Sequence, residues 1–375
     1  MKKILFALLL VIVIVAISTI AYNLIQTKRQ VWGFINRSGE LITSIEYDQV
    51  YDFANGRAAV QKDGQWGFID SLGRLVIQPQ FLDVYQGFQP NGLAAVRDEN
   101  TSLMGLIDKQ GEWVMEPRFD DLQDIVEDRA VAGNMLAINS SSGSSSSNTL
   151  GSRLYSYGII DKDGEWVVKP SEKRDDPSRW QAVYASRSNY LIVDLQSGRC
   201  GYVDLNGNWI INPTFSDCGV FVDSLAVVAQ EDGNRALIYA DGNIYVQLQN
   251  VEVELAQGDI GIIRTSLESY AFGTDNMELR LGPFEYLSAY TSNRFVALYE
   301  NMFYLMDIDS AFYGQAYPKM HSLSEDRVAI GVKEGGFFDD YKYGYLDLAG
   351  NLVIAPQYFE VGPFKNGLAK VSVLE

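Results

Sequence analysis

Trp66-Gly67-Phe68-Ile69-Asp70-Ser71-Leu72-Gly73-Arg74-Leu75-Val76-Ile77-Gln78-Pro79 and Tyr343-Gly344-Tyr345-Leu346-Asp347-Leu348-Ala349-Gly350-Asn351-Leu352-Val353-Ile354-Ala355-Pro356 share one frame. A glycine is followed by an aspartate three positions on, a second glycine six on and a proline twelve on. An internal period of this size commits the chain to stacked repeats, each burying its apolar face against its neighbours. Clear copies start at Gly33, Gly67, Gly105, Gly158, Gly201 and Gly344. Three worn copies, Ala236 with Asp241-Gly242, Tyr270 with Pro283 and Tyr304 with Asp307, fall where the spacing demands them. The intervals from 201 onwards are 35, 34, 34 and 40 residues. The expectation is about nine units of roughly 34–50 residues each.

Within a unit, short apolar runs alternate with turns, the pattern of an all-β chain. Asp70 and its equivalents Asn36, Asp108, Asp161, Asp204 and Asp347 are placed to accept turn N–H groups, with a glycine three later for positive φ. Pro79, Pro117, Pro170, Pro213 and Pro356 are expected to end the second strand, since proline cannot donate to a ladder. An aromatic-acid segment follows (Phe81-Leu82-Asp83-Val84, Phe119-Asp120-Asp121-Leu122, Tyr358-Phe359-Glu360-Val361), then a small-residue strand such as Ala58-Ala59-Val60. That strand leads into the next Trp-Gly strand, most plainly through Lys62-Asp63-Gly64-Gln65, a strong hairpin signal. The first unit begins at Trp32 without a small-residue strand, and Gly367-Leu368-Ala369-Lys370-Val371 lacks a Trp-Gly strand after it. Such complementary halves favour a closed β-propeller-like ring over an open β-solenoid, because pairing them removes free edges.

Lys2-Lys3 precede an apolar stretch, about residues 4–22, close to the length that crosses a bilayer. Residues 1–30 are therefore expected to be an N-terminal membrane anchor and short linker. The repeat domain over 31–375 is expected outside the cytoplasm, with a Ser-rich insertion at 139–149 in an exposed hairpin tip. The chain carries a net charge of −18, and beyond the four basic residues flanking the apolar stretch 26 bases face 48 acids. An acidic body repels phosphate backbones and anionic membrane surfaces, which argues against nucleic acid and leaves the N-terminal helix as the one membrane contact.

The frame Trp-Gly-Phe-Ile-Asp-x-x-Gly-x-x-Val-Ile-x-Pro-x-Phe, followed by Phe-x-x-Gly-Leu-Ala-x-Val, resembles the bacterial WG repeat, most closely at residues 32–119 and 343–373. The resemblance implies a β-repeat binding or scaffold module and carries no catalytic residues. The positions it singles out are Trp32, Gly33, Trp66, Gly67, Gly105, Tyr157, Gly158, Gly201, Tyr343 and Gly344, all structural. An indole there fills the gap between units while the adjacent glycine permits close approach. Met104, Cys200, Arg235 and Ser269 depart from the pattern at the Trp position.

Cys200 and Cys218 are the two cysteines. Export permits a disulfide between them, and two free thiols in small apolar slots is the other reading. His321, the one histidine, reads as structural or surface. The acidic turn Asp161-Lys162-Asp163-Gly164 reads as a hairpin turn, since the further ligands of a calcium loop are missing. No metal, cofactor or catalytic residue is expected. The function expected is a membrane-anchored, extracytoplasmic, single-pass scaffold for an envelope protein. A cell-wall polysaccharide module using tyrosines such as Tyr85 or Tyr341 is the alternative, and a glycan-active enzyme is the weakest reading.

Overall fold

The computed structural model describes residues 29–136, 154–173, 175–185, 191–256, 258–291, 293–335 and 341–375. The expected anchor at about 4–22 and the Ser-rich segment at 139–149 lie outside the described residues. Among the described residues all regular structure is β, and no helix is long and apolar enough to cross a membrane.

Among the described residues the strands form eight small antiparallel sheets, and none of these closes on itself. One sheet has seven strands because Leu75–Tyr85 serves two units, ending unit 1 and opening unit 2. Counting it as two gives a repeated group of four strands. Unit 1 is Gln49–Val50, Arg57–Lys62, Gln65–Asp70 and the start of Leu75–Tyr85. Unit 2 runs to Trp113–Phe119, unit 3 from Asp121–Val126 to Trp166–Val168, and unit 4 from Trp180–Ala185 to Trp209–Phe215. Unit 5 spans Asp217–Cys218 to Ile244–Leu248, and unit 6 Glu252–Ala256 to Leu279–Phe284. Unit 7 spans Tyr286–Thr291 to Phe312–Tyr317, and unit 8 Lys319–Ser324 to Leu352–Tyr358.

Unit 9 is made from both ends of the repeat domain. Glu360–Val361 pairs with Leu368–Leu374, which pairs with Gln30–Asn36 from Gln30↔Leu374 to Asn36↔Leu368. Bridges Trp32↔Tyr47 and Ile35↔Leu41 supply its fourth position. The sequence repeat is thus out of phase with the sheets: its Trp-Gly half closes one unit and its small-residue half opens the next. The worn copies are full units, with Ala236, Tyr270 and Tyr304 each in a third strand.

Apolar cores lie between units. Trp66, Phe68 and Ile77 of unit 1 pack with Val84, Phe88 and Ala94 of unit 2, and Ile192 and Tyr202 of unit 4 with Phe221 and Ala226 of unit 5. The series returns to its start where Phe34 and Leu368 of unit 9 meet Val50, Phe53 and Ile69 of unit 1. This is a propeller-like arrangement, and the burial of apolar area at each seam is its main stabilising force.

The motif positions now have physical causes. In unit 1 the register runs Trp66↔Phe81 and then Phe68↔Ile77, so Gln78, Pro79 and Gln80 bulge opposite Gly67. A Cβ at Gly67 would sit 2.7 Å from Pro79 N, and one at Gly344 2.7 Å from Pro356 N. Gly105, Gly158 and Gly201 face Pro117, Pro170 and Pro213 in the same way, while Gly33 faces Ser44 and Ile45. The prolines therefore do not end strands as expected. Pro79, Pro117, Pro213 and Pro356 lie within them, at bulges where no ladder N–H is needed; only Pro170 follows its strand. The turns form as expected: Asp70 Oδ1 accepts N–H bonds from Leu72 and Arg74, both at 3.0 Å. The glycine of each turn also rests on the preceding unit, as Gly111 does on Ile77 and Gly242 on Ile211.

Candidate binding surface at the first-strand edges

First strands of neighbouring units touch one another, as Asp121–Val126 does Trp180–Ala185 and Tyr286–Thr291 does both Glu252–Ala256 and Lys319–Ser324. These edges therefore gather on the inner side of the circuit. Chain register then aligns a single position across all of them. Gln49↔Gln61, Asp83↔Arg97, Asp121↔Gly133, Ala182↔Asp194, Asp217↔Ala229, Glu252↔Arg264, Tyr286↔Leu298, Lys319↔Gly331 and Glu360↔Ser372 are equivalent pairs. Each continues into the Trp position of the third strand, as Gln61↔Trp66, Gly133↔Tyr157, Ala229↔Arg235 and Ser372↔Trp32 show. Five of the nine first-strand residues in this row are carboxylates.

Tyr157 and Arg235, both at the Trp position, bond the row carboxylate of their own unit, and other side chains beside the row pack on one another. Trp66 packs under Tyr51, rings 5.0 Å apart and nearly parallel. Tyr157 donates its hydroxyl to Asp121 Oδ2 at 2.8 Å, and burial together with the Asp121 charge pushes its pKa up. Arg235 donates to Asp217 at 2.8 Å and to Glu252 of unit 6 at 2.7 Å, replacing an apolar filler by ion pairs that link two units. Arg264 pairs with Glu254 and lies 5.3 Å from the Tyr286 ring centre. Asp194, half-buried beside Cys200, has its pKa raised by burial and by the Asp217 charge.

At one end of the edges, loops of three successive units share a cavity of about 340 Å³. Tyr51, Asp52 and Asn55 come from unit 1, Gln86 and Gln89 from unit 2, and Lys365 from unit 9. Asp52 is held by Lys365 at 3.2 Å and Lys370 at 3.1 Å. Asn55 donates to Phe88 O at 2.7 Å and Asn91 to Glu127 O at 2.9 Å, tying consecutive loops together. The cavity offers amides, a phenol and a salt-linked carboxylate, groups that bind by hydrogen bonding and charge.

Of the residues singled out from sequence, Trp32, Trp66, Tyr157 and Tyr343 lie in the row, and Gly33, Gly67, Gly105, Gly158, Gly201 and Gly344 line up beside it. Cys200 and Cys218 are joined in a disulfide with Cα atoms 6.0 Å apart. It ties the third strand of unit 4 to the first strand of unit 5, so the bond crosses a seam. Tyr85 and Tyr341 are half-buried and not free-standing platforms: Tyr85 packs against the Met104 and Leu106 cluster, and Tyr341 lies under Lys319 Nζ at 4.5 Å. His321 stands 5.3 Å from the Tyr343 ring, its pKa lowered by burial and by Lys319. Asp161 spends its Oδ1 on the N–H groups of Asp163 and Glu165. The aromatic-acid segments contain first-strand carboxylates, but their alignment as a set emerges only from the strand register. Their signal was present, an acid two residues after the aromatic in Phe81/Asp83, Phe119/Asp121, Phe215/Asp217 and Tyr358/Glu360.

Six segments match the WG containing repeat family: residues 32–66, 66–101, 104–132, 157–171, 201–233 and 343–373. No curated protein matches the sequence. A solved structure described as the eukaryotic initiation factor aligns at 11% identity over 92% of this chain and 98% of its own, with a TM-score of 0.53. BamB from Moraxella catarrhalis aligns at 10% identity over 86% of this chain and 93% of its own, with a TM-score of 0.42. At 11% identity the likeness to the first of these concerns fold alone.

Proposed function

Starting from a chain that carries the WG containing repeat at six places, we propose a membrane-anchored scaffold that works by binding and not by chemistry. In this reading the repeats form a closed propeller-like ring on the extracytoplasmic side, tethered by the N-terminal segment, and engage an envelope protein through the first-strand edges. The observation that carries it is the register row: Asp83, Asp121, Asp217, Glu252 and Glu360 occupy one level of neighbouring edges, beside a cavity shared by three units. Arg235 offsets Asp217 and Glu252, while Asp83 and Glu360 make no ion pair among the described residues. Such an edge favours a partner that presents a basic segment, since charge complementarity steers encounter and sets register. The test is proximity labelling from the full-length chain in its membrane, alongside an Asp83→Lys, Glu360→Lys variant. A reproducible protein neighbour, lost in the variant, is the expected result. Recovery of no reproducible neighbour, or of the same neighbour at the same yield from the variant, would sink the proposal.

A further inference from the structure

A position defined by register separates one seam from two others. The first residue of the fourth strand faces a fixed partner in the third: Ile107↔Trp113, Ile160↔Trp166, Val203↔Trp209 and Ile238↔Ile244. In units 2 and 3 that residue is a tryptophan that leans on the aromatic closing the previous unit. Trp113 meets Phe81 edge-on at 5.8 Å, and Trp166 meets Phe119 edge-on at 5.4 Å. Phe215 is the equivalent aromatic of unit 4, by the pairings Trp66↔Phe81, Met104↔Phe119 and Cys200↔Phe215. Across the seam from it unit 5 places Ile244, which is 46% exposed. The indole that covers the phenyl ring in the other two seams is missing here, and an open groove of about 710 Å³ lies in its place, lined by both Phe215 and Ile244.

The walls of this groove are polar. Gln230 and Gln247 present side-chain amides 3.4 Å apart. Asp232 is oriented by Asn234, which donates both its backbone N–H, at 2.9 Å, and its side-chain amide, at 2.7 Å. Arg199 forms an ion pair with Glu231 and donates to Thr214 O at 2.8 Å. Amides supply donors and acceptors together, and the carboxylates outnumber the single guanidinium, which disfavours an anion. An apolar floor with mixed donors and acceptors above it, in a cleft of ligand size, matches a ligand with CH faces and hydroxyl edges. We infer that the seam between units 4 and 5 is a binding site for a short stretch of neutral glycan. It uses none of the five first-strand carboxylates, so it stands or falls apart from the scaffold reading.

The test is calorimetric titration of the full-length chain, held in a polyoxyethylene detergent free of sugar headgroups. The probes are chitotetraose, maltotetraose and a sulfated oligosaccharide of similar length. Ile244→Trp introduces the residue that units 2 and 3 carry as Trp113 and Trp166, where other units carry Leu75, Leu279, Phe312 and Leu352, and should close the groove while leaving the thermal midpoint unchanged or higher. Gln247→Ala keeps the groove open but removes a wall amide. Saturable binding of a neutral tetrasaccharide, weakened about tenfold or more by each variant and untouched by Glu360→Lys, is the expected result. No saturable binding of either neutral probe, tighter binding of the sulfated one, or undiminished binding in Ile244→Trp overturns it. Should Ile244→Trp fail to fold, undiminished binding in Gln247→Ala overturns it equally.

Discussion

Replacing Gly67 by alanine tests the physical account of the repeat most directly. The backbone of Gly67 is not in the left-handed region, so a methyl group there carries no conformational penalty. On chain entropy alone the change should stabilise the fold by about 0.4–1 kcal/mol. Sterics oppose it. The new Cβ would lie 2.7 Å from Pro79 N and 2.8 Å from Gln78 C, both backbone atoms, where comfortable contact is roughly 3.5–4.0 Å. The bulge must retreat by about an ångström, and that strains the Trp66↔Phe81 and Phe68↔Ile77 pairings on either side. Overpacking of this kind costs about 1–3 kcal/mol, so the steric effect wins and the variant is destabilised. Gly335 is the control, since an added Cβ there meets nothing within 4 Å and its φ is not positive. Urea unfolding followed by tryptophan fluorescence should show a lower midpoint for Gly67→Ala and an unchanged or higher one for Gly335→Ala. Equal midpoints for the two variants would refute the claim that the bulge dictates the glycine.

Trp66→Ala should lower the unfolding free energy by about 3–5 kcal/mol, because the indole is 5% exposed. Trp209→Ala should cost no more than about 1 kcal/mol, because that ring is 37% exposed; the ranking is read from unfolding midpoints. Reducing the Cys200–Cys218 bond, or replacing both cysteines by alanine, should cost about 3 kcal/mol by loop closure for a sequence separation of 18, seen as a lower midpoint with reductant. Asp70 has its pKa lowered, chiefly by the Arg74 side chain and then by the turn N–H groups against the opposing effect of burial. A depressed folded-state pKa gives stability that is present above the unfolded value and lost as pH falls through the folded one. Asp70→Asn keeps the turn acceptor, as Asn36 does in unit 9, so its midpoint should fall less than that of the native chain between about pH 6 and about pH 3.

The period made the architecture readable even where residues had drifted. Ala236, Tyr270 and Tyr304 could be placed because spacing survives loss of identity, and each occupies a third strand. The Asx turns were legible because a carboxylate two and four residues ahead of free N–H groups needs no tertiary context. The prolines depart from expectation for the opposite reason. Proline ends a regular ladder, but opposite Gly67 there is no regular ladder to end, and the bulge is a property of two strands together. The first-strand row was hidden likewise. Asp83 and Asp217 fall on one level only through the strand register of their separate units, which the sequence does not display. The equivalence of Ile244 with Trp113 needed register, since the two stand in units of different wear.

The three worn units show how the same fold survives loss of its signature glycine. A side chain in the third strand collides with the wide bulge of the fourth, so something on the opposite strand has to change. In unit 5, where Ala236 stands at the glycine position, the pairing runs straight through as Arg235↔Leu248, Ala236↔Gln247 and Leu237↔Val246: the bulge is gone, and so is its proline. In unit 6, Tyr270 faces a bulge of two residues, Gly282 and Pro283, where unit 1 has three. The glycine has moved to the fourth strand, and a Cβ on Gly282 would lie 2.8 Å from the Tyr270 ring. In unit 7 the bulge opposite Tyr304 keeps three residues, Gly314 to Ala316, and the change is in its first residue, Gly314, at φ 72° and packed against Gly350 of the next unit. What the repeat preserves is therefore a condition on the pair of strands, that one of them yield at this point. Identity at the Trp-Gly position is only the commonest way of meeting it, which is why a motif erodes here while its sheet does not.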